Sequence, residues 1–294
     1  MNLNSKSISK IEKIEKGWSL DEKYYVEDEH LGKLLLRISE HTSYERKQQE
    51  FTLMKLVGLQ DVRMSTPLEF WKEEDKLSAL YTWCDGDELG EVVSDFSESL
   101  QYKLGYIAGD YLYKIHSIPI NKRLDWKQLY GRKAKKKIEM YRMYDIPFEG
   151  AEDFIGYIEK NFDLLEHRDT SFLHGDYHVG NMIVSSDNNL SIIDFDRFDY
   201  GDPWEDFNRI VWSAQRSPAF ACGQIHGYFK QEPPELFFQL LAFYMAVNAI
   251  GAIPWAVAFG DVQVLMKQAH DVLMWYDHMN TIIPSWYQKI EDFQ

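Results

Sequence analysis

The fold of this chain is decided by Ser171-Phe-Leu-His-Gly-Asp-Tyr-His-Val-Gly-Asn-Met-Ile-Val184, followed shortly by Ile192-Ile-Asp-Phe-Asp196. Apolar runs flank both segments. Met182 to Val184 and Leu190 to Ile193 predict two short strands, and the polar run from Ser185 to Asn189 is typical of the turn of a hairpin. The polar side chains of both segments are therefore expected at strand ends or in loops with a rigid support.

Three of these polar residues, Asp176, Asn181 and Asp194, have the order and spacing that phosphoryl transfer from a metal-bound nucleotide needs. In that chemistry one carboxylate accepts the proton of a hydroxyl group, and an amide with a second carboxylate holds magnesium. The predicted hairpin would place Asn181 and Asp194 side by side. The sequence therefore indicates Asp176 as the catalytic base, and Asn181 and Asp194 as Mg²⁺ ligands.

The motif follows the kinase pattern His-x-Asp-x-x-x-x-Asn, but Gly175 stands where protein kinases have Arg, and Asp-Phe-Asp replaces Asp-Phe-Gly. These departures, with Gly201-Asp-Pro-Trp-Glu-Asp206 downstream, resemble the aminoglycoside phosphotransferase and choline kinase family. The resemblance covers scattered points between residues 17 and 210 and is dense only around the catalytic motif. It implies an α+β, bilobal, protein-kinase-like fold with a small β-rich N-lobe and a larger, mainly helical C-lobe.

The length and composition are those of a globular enzyme. With 294 residues and 45% hydrophobic content the chain can bury a large core, as one large domain or as two lobes. Cys84 and Cys222 lie far apart and in no metal-ligand spacing, which argues against a disulfide framework and favours a reducing compartment. No apolar segment follows the polar start of the chain, so we expect no secretory signal and a cytoplasmic location.

The formal net charge is −15. This charge disfavours nucleic acid and anionic membrane surfaces as partners, and it would attract a cationic small molecule. The stretch from Leu240 to Gly260 is long and apolar enough to imitate a membrane span, except for Asn248 and Pro254. Because it is isolated, interrupted and without a basic flank, it predicts a buried helix and no membrane association.

The N-terminal region predicts a small antiparallel sheet, with strands at Ile8 to Ile14, Lys23 to Glu27 and Lys33 to Ile38. In the kinase plan the first turn covers the nucleotide phosphates, and Gly17-Trp-Ser-Leu-Asp21 occupies that place. Ser19 is the candidate for a phosphate contact. An ordinary turn is the alternative, because one glycine alone is weak support for a phosphate loop.

Arg37 lies between apolar residues on an apparently buried strand, where a charge needs a partner. The resemblance implies that Arg37 pairs with the nucleotide phosphates and with a Glu on the following helix. That helix is predicted from Tyr44 to Val57, where Glu50 fits the family position and Glu45 competes with it. The alternative for Arg37 is an edge-strand residue that points to water.

Strands are predicted again at Pro67 to Trp71 and Lys76 to Trp83, before the acidic turn Cys84-Asp-Gly-Asp-Glu88. This turn separates a strand-rich part from an almost wholly helical one. We therefore expect a nucleotide-binding N-lobe at residues 1–84 and a helical C-lobe with catalytic loop and acceptor site at residues 85–294. The resemblance implies that Thr82, Trp83 and Cys84 form the hinge whose backbone meets the nucleotide base, which leaves ATP and GTP undistinguished.

The remaining chain predicts mainly helices, at Ser97 to Ile118, 124–145, Ala151 to His167, Trp204 to Trp212, Glu235 to Gly251 and Asp261 to Asn280. His116 is expected to pack or to cap its helix. The basic run Arg132-Lys-Ala-Lys-Lys-Lys137 predicts a solvated helix face rather than a phosphate site, because no glycine or aromatic residue interrupts it.

Several carboxylates follow Asp194. The resemblance implies that Asp202 and Asp206 hold the catalytic segment together, which makes them candidates for a structural role. Asp196 and Asp199 are freer to face a metal or a cationic substrate, and for Asp199 simple solvation of the loop is favoured.

Three hypotheses follow from these residues. The first is a kinase that uses Mg²⁺ and ATP or GTP to phosphorylate a small molecule, either an aminoglycoside-like or other amino-alcohol acceptor, or a choline- or sugar-type metabolite. The second is a metal-dependent phosphoesterase, because His174, Asp176 and His178 alternate like metal ligands. The third is a non-catalytic kinase-like binding module. The sequence favours the kinase, because base and metal ligands are all retained and the further histidines of metallophosphatases are absent.

Overall fold

The computed structural model of the protein describes residues 7–15, 21–144 and 147–293. Its strands, in chain order, are β1 (Ile8–Ile14), β2 (Glu22–Asp28), β3 (Gly32–Glu40), β4 (Pro67–Glu73), β5 (Lys76–Thr82), β6 (Asp87–Glu88), β7 (Ser171–Leu173), β8 (Met182–Val184), β9 (Leu190–Ile192) and β10 (Asp199–Gly201). Its α-helices are α1 (Tyr44–Gly58), α2 (Leu89–Val92), α3 (Glu98–His116), α4 (Trp126–Tyr144), α5 (Ala151–Lys160), α6 (Ile210–Arg216), α7 (Pro218–Phe229), α8 (Glu235–Phe259) and α9 (Val262–Trp275).

The chain divides into two compact units. Unit 1 consists of Met1–Glu91 and Gly180–Phe198, and unit 2 consists of Val92–Val179 and Asp199–Gln294. The first segment of unit 1 ends seven residues after the predicted lobe boundary at residue 84, and unit 1 also gains the β8–β9 hairpin from the middle of the chain. The assignment of nucleotide binding to one lobe and of acceptor binding to the other stays a prediction.

Unit 1 is built on an antiparallel five-stranded sheet with strand order β1-β2-β3-β5-β4. Side chains alternate along β3, so Leu34 and Leu36 join Val26 and Leu80 in a buried apolar cluster on one face. Arg37 and Ser39 consequently point to the other face of the sheet. The bounds of β1 agree with the predicted strand, and β2 and β3 extend slightly beyond their predictions.

A smaller sheet of unit 1 has strand order β6-β8-β9. Gly86 makes this sheet possible, because its φ is +139° and a Cβ atom there would lie 2.2 Å from the carbonyl oxygen of Val184. The acidic turn that was predicted to separate the lobes thus lies directly against the β8–β9 hairpin.

Helices α3 and α7 of unit 2 pack unusually closely. A Cβ atom on Gly109 would lie 2.1 Å from the carbonyl oxygen of Gln224, and one on Gly227 would lie 1.9 Å from that of Tyr106. Helix α7 was not predicted, because its glycines and short apolar side chains give a weak helical pattern. Close backbone packing is what stabilises it.

Helix α8 is apolar and mostly buried in unit 2. Among the described residues it is the one helix long and apolar enough to cross a membrane by length and composition, and 72% of that window is buried, as in a core helix. The predicted buried helix is confirmed, but it does not stop at Gly251 and continues through Pro254 to Phe259. Helix α5 is shorter than the predicted helix, Ala151 to His167. It ends at Lys160, before a 3₁₀ turn at Phe162–Leu165.

Candidate active site

In unit 1 the candidate residues are organised around Arg37. Its side chain is only 7% exposed, and its guanidinium donates from Nη1 to Glu50 Oε1 at 3.2 Å and from Nη2 to Asp21 Oδ2 at 2.7 Å. The predicted pairing with Glu50 is therefore present, whereas Glu45 is exposed on α1. The alternative of a solvent-facing edge residue is wrong, because β3 is flanked on both sides by other strands.

Asp21 and Lys47 complete this cluster, and sequence reasoning missed both. Asp21 Oδ2 accepts from Lys47 Nζ at 2.7 Å, and Asp21 Oδ1 accepts from Ser39 Oγ at 2.7 Å. Lys47 also donates to Asp196, whose carboxylate lies 3.3 Å from Arg37 Nη2. The sequence feature that could have identified Lys47 is its position three residues before Glu50, because residues three apart are neighbours on a helix surface.

The charges of this cluster shift the pKa values of its members. Burial alone would raise the pKa of Asp21, but the charges of Arg37 and Lys47 lower it below its ordinary value. The same two cations lower the pKa of Asp196 against burial. For Glu50 burial dominates, and its pKa is raised despite both cations. Asp196, which was predicted to be free for a metal or a cationic substrate, is instead engaged by Arg37 and Lys47.

The β8–β9 hairpin brings the two predicted metal ligands together. Met182 pairs with Ile192, and the Ile193 N–H donates to the carbonyl oxygen of Asn181 at 3.0 Å. Asn181 and Asp194 therefore flank the same end of the hairpin, as predicted from the turn chemistry between the strands.

Asp194 has the properties of a metal ligand. Its backbone is left-handed, with φ +64°, a conformation that costs energy in a residue other than glycine and that recurs at functional sites. Its Oδ1 atom is buried and accepts no hydrogen bond from a described residue. Lys23 and Arg37 each lie 3.9 Å from its carboxylate. A carboxylate oxygen without a donor, next to an amide side chain, fits Mg²⁺, which prefers oxygen ligands and usually keeps phosphates and waters in its shell.

The predicted hinge follows β5. The Thr82 N–H donates to Thr66 O at 2.9 Å and the Trp83 N–H donates to Lys33 O at 3.1 Å, so both are engaged within unit 1. Among the described residues the Trp83 carbonyl and the Cys84 N–H make no hydrogen bond. Of the three predicted hinge residues, Trp83 thus has one free acceptor and Cys84 one free donor on the backbone. Ser19, the candidate phosphate contact, lies outside the described residues.

In unit 2 the catalytic loop follows β7 and is fastened by Asp206. This buried carboxylate accepts from the backbone N–H groups of His174 and Gly175, both at 2.7 Å, and lies 3.0 Å from His116 Nε2. Burial would raise the pKa of Asp206, but His116 and these hydrogen bonds lower it. His174 Nδ1 in turn accepts from the Asp176 N–H at 3.3 Å. The backbone on both sides of Gly175 is fixed before any substrate binds.

Asp202 has a separate structural role, as predicted. It is fully buried, and it accepts from Arg168 Nε at 2.7 Å, from the Tyr244 hydroxyl at 2.6 Å and from the Trp204 N–H at 3.0 Å. This carboxylate ties the start of the 3₁₀ helix Pro203–Arg209 to α8. Asp199, by contrast, is exposed and accepts from the Tyr200 N–H, which agrees with the predicted loop solvation.

Asp176, the predicted base, lies on this loop with its side chain 20% exposed. Arg209 Nε lies 3.3 Å from Asp176 Oδ1, and His178 Nε2 lies 3.7 Å from the same oxygen. Sequence reasoning missed Arg209. The sequence feature that could have identified Arg209 is its position three residues after Asp206. Both lie on one 3₁₀ helix, where residues three apart are on the same side. The ring of His178 lies against that of Trp212.

Comparison with known proteins assigns this arrangement to a family. Residues 10–238 match the APH family model, described as the phosphotransferase enzyme family. The chain belongs to this family. It is therefore an enzyme, a small-molecule phosphotransferase, and the phosphoesterase and binding-module hypotheses are set aside. Among curated protein sequences none matches the chain significantly.

Solved structures show the same fold at low sequence identity. The ADP-bound aminoglycoside phosphotransferase APH(2'')-Ib is 17% identical with a TM-score of 0.62, and the match covers 90% of this chain and 92% of that one. A choline/ethanolamine kinase family protein from Mesorhizobium loti is 13% identical with a TM-score of 0.66, covering 96% and 95%. A putative fructosamine-3-kinase from Haemophilus somnus 129PT is 12% identical with a TM-score of 0.61, covering 91% and 92%. The predicted α+β kinase-like fold is confirmed, and the three related structures are named for different acceptors.

Proposed function

We propose that this phosphotransferase moves the γ-phosphate of ATP or GTP to a hydroxyl group of a small molecule with the help of Mg²⁺. The observation that carries the proposal is the Asp194 carboxylate, held in a left-handed backbone conformation with a buried oxygen that accepts no hydrogen bond from a described residue. The ADP in the related aminoglycoside phosphotransferase supports a nucleotide donor.

Asn181 and Asp194 would hold the metal in this reaction. Mg²⁺ held there would neutralise negative charge on the phosphates of the nucleotide. Arg37 would contact the phosphates while Glu50 holds it in place, and the second cation, Lys47, lies next to it. Thr82, Trp83 and Cys84 would meet the base, through the Trp83 carbonyl and the Cys84 N–H.

Asp176 would orient the acceptor hydroxyl and take its proton as the oxygen attacks the γ-phosphorus atom. Asp206 contributes indirectly, because it fixes the loop on which Asp176 lies. Arg209, whose Nε lies 3.3 Å from Asp176 Oδ1, would help to orient that carboxylate.

An aminoglycoside-like or other amino-alcohol acceptor is the class that the sequence favours, with a choline- or sugar-type acceptor as the alternative. The related structures include an aminoglycoside phosphotransferase, a choline/ethanolamine kinase family protein and a putative fructosamine kinase, so they support each class. The expected cationic character of the acceptor rests on the net charge of −15. The cytoplasmic location also stays a prediction.

The experiment is a calorimetric titration with MgATP and MgGTP, followed by a screen of hydroxylated amines, sugars and hydroxy acids for acceptor-stimulated nucleotide turnover. Asp194→Asn should abolish metal-dependent nucleotide binding, because the amide replaces the unengaged carboxylate oxygen. Asp187→Asn, an exposed residue in the turn of the same hairpin, is the matched control and should bind like wild type. Undiminished metal-dependent binding by Asp194→Asn would contradict the proposed role.

A further inference from the structure

The basic run on α4 is not a uniformly solvated face. Arg132, Lys135 and Lys136 are exposed as predicted, but Lys137 is partly buried in unit 2. Its aliphatic stem lies across α8 at Gly251, where a Cβ atom would lie 2.5 Å from Lys137 Cδ and 2.7 Å from Lys137 Cε. A glycine inside a helix costs stability, and here it opens the groove that holds the lysine.

The ammonium group of Lys137 has little to pair with. Within the described part of the chain its hydrogen bonding consists of one long contact, 3.5 Å to the carbonyl oxygen of Val247. The pKa of Lys137 is lowered to about 7, chiefly by burial and then by the charge of Lys133; Glu205 opposes this shift and Arg209 adds to it. An ammonium group in such surroundings gains free energy when an anion binds beside it.

Two of the basic residues whose charges act on Lys137 pair with carboxylates, and one of these carboxylates belongs to the proposed base, Asp176. Lys133, one turn earlier on α4, pairs with Glu205 at 3.2 Å, and Arg209 lies 3.3 Å from Asp176. Three basic groups therefore face two carboxylates in this cluster. One added negative charge would balance it.

We propose that the acceptor carries an anionic group, a carboxylate or a phosphate monoester, which Lys137 binds together with Lys133 and Arg209. The inference rests on the proposed function, because it places the anionic group near the hydroxyl that Asp176 would activate. It names an acceptor class that differs from the cationic one expected from net charge.

The first test compares acceptors that differ only in an anionic group: ethanolamine with serine, 3-aminopropan-1-ol with homoserine, and glycerol with glycerol 3-phosphate. The anionic member of at least one pair should have a KM about 10- to 100-fold lower, the range of a charge-assisted hydrogen bond. The first two pairs test a carboxylate and the third tests a phosphate. A neutral or cationic member preferred in every pair would overturn the proposal.

Lys137→Met keeps most of the stem, removes the charge and should erase this preference without changing the KM for the nucleotide. Lys136→Met, the exposed neighbour on the same helix, should leave both unchanged. The charged form of Lys137 is disfavoured in the folded state, so Lys137→Met should also raise Tm at pH 6. If Lys137→Met keeps the wild-type preference between acceptors, the lysine has no part in acceptor binding.

Two further measurements keep the inference separate from the proposed function. Gly251→Ala keeps every charge but displaces the Lys137 stem, and should reduce the same preference. Malonate and inorganic phosphate can be titrated without nucleotide while the methyl signals of Val247, whose carbonyl oxygen Lys137 contacts, are followed by NMR. A shift at Val247 that Lys137→Met abolishes supports the inference even if no acceptor is phosphorylated, and a shift that persists, or none with either anion, overturns it.

Discussion

Asp21 illustrates how much one side chain can organise. Its carboxylate accepts from Arg37, Lys47 and Ser39, and it is only 8% exposed. Because its pKa is lowered in the folded state, it stabilises the fold above pH 3.8, the ordinary value, and this contribution is lost as the pH falls below that value. The pKa of Glu50 in the same cluster is raised in the folded state, so ionisation of Glu50 lowers the stability of the fold as the pH rises above 4.5, the ordinary value.

We therefore expect Asp21→Asn to lose about 2 to 4 kcal/mol of stability at pH 7, since one partner of a buried ion pair is removed. The stability difference between wild type and variant should shrink as the pH falls below 3.8. Urea unfolding at several pH values measures both. A difference that stays constant down to pH 2 would show that the pKa of Asp21 is not shifted by folding.

Lys47 is expected to bind nucleotide phosphate together with Arg37. Lys47→Met should raise the Kd for MgATP about 10-fold, because one charged hydrogen bond is lost. Gln48→Met, on the exposed side of the same helix, is the control and should bind normally. Calorimetry decides, and equal affinity of the two variants would limit Lys47 to a structural role.

Asp176→Asn tests the base. It keeps the size and most hydrogen-bonding capacity but removes the charge, so kcat should fall roughly 10²- to 10⁴-fold while the Kd for nucleotide changes little. The transition state of phosphoryl transfer is loose, so the low end of this range would still fit positioning by Asp176. Steady-state kinetics on the best acceptor, with the fold verified by circular dichroism, measures the effect. Near-normal kcat would remove Asp176 from the mechanism.

At the scale of elements, the α3–α7 packing depends on glycine. In Gly227→Ala the new methyl group would meet the backbone of Tyr106 at 1.9 Å, and backbone cannot move aside as a side-chain end can. We expect a loss of about 1 to 3 kcal/mol from overpacking. Gly156→Ala on α5 is the matched control, because no atom lies within 4 Å of its Cβ position. That variant should gain up to about 1 kcal/mol from helix propensity.

Thermal unfolding of the two glycine variants separates close packing from helix propensity. If both alanines stabilised the protein alike, the tight approach of α3 and α7 would not hold in solution. The comparison also bears on the active site, because the Tyr177 hydroxyl, next to the catalytic base in sequence, donates to the carbonyl oxygen of Ala108 on α3 at 2.6 Å.

At the scale of the whole molecule, the net charge of −15 predicts long-range attraction of a cationic acceptor. For such an acceptor kcat/KM should fall as ionic strength rises, since screening weakens interactions beyond about 8 Å at physiological salt. The local cluster around Lys137 predicts an anionic acceptor instead. Measuring kcat/KM between low and high salt for the acceptor pairs decides between them, and a pair in which the member with the added anionic group outperforms its partner contradicts the prediction from net charge.

The sequence by itself determined the catalytic motif, the β8–β9 hairpin and most strand and helix positions. These features depend on short spacings: Asn181 is the fifth residue after Asp176, and one turn connects β8 to β9. The Arg37–Glu50 pair was implied by the resemblance to the phosphotransferase family, with Glu45 as the competing partner. Local periodicity and turn chemistry are sufficient where the interacting groups are near each other in the chain.

Only the tertiary structure revealed Asp21, Lys47, Arg209 and the setting of Lys137. Lys47 and Asp196 are 149 residues apart, and Lys137 contacts Val247, 110 residues away. A charged residue on a helix has the same local pattern whether it meets water or a distant carboxylate. The partner, and with it the burial and the shifted pKa, is set by packing between segments that the local sequence does not relate.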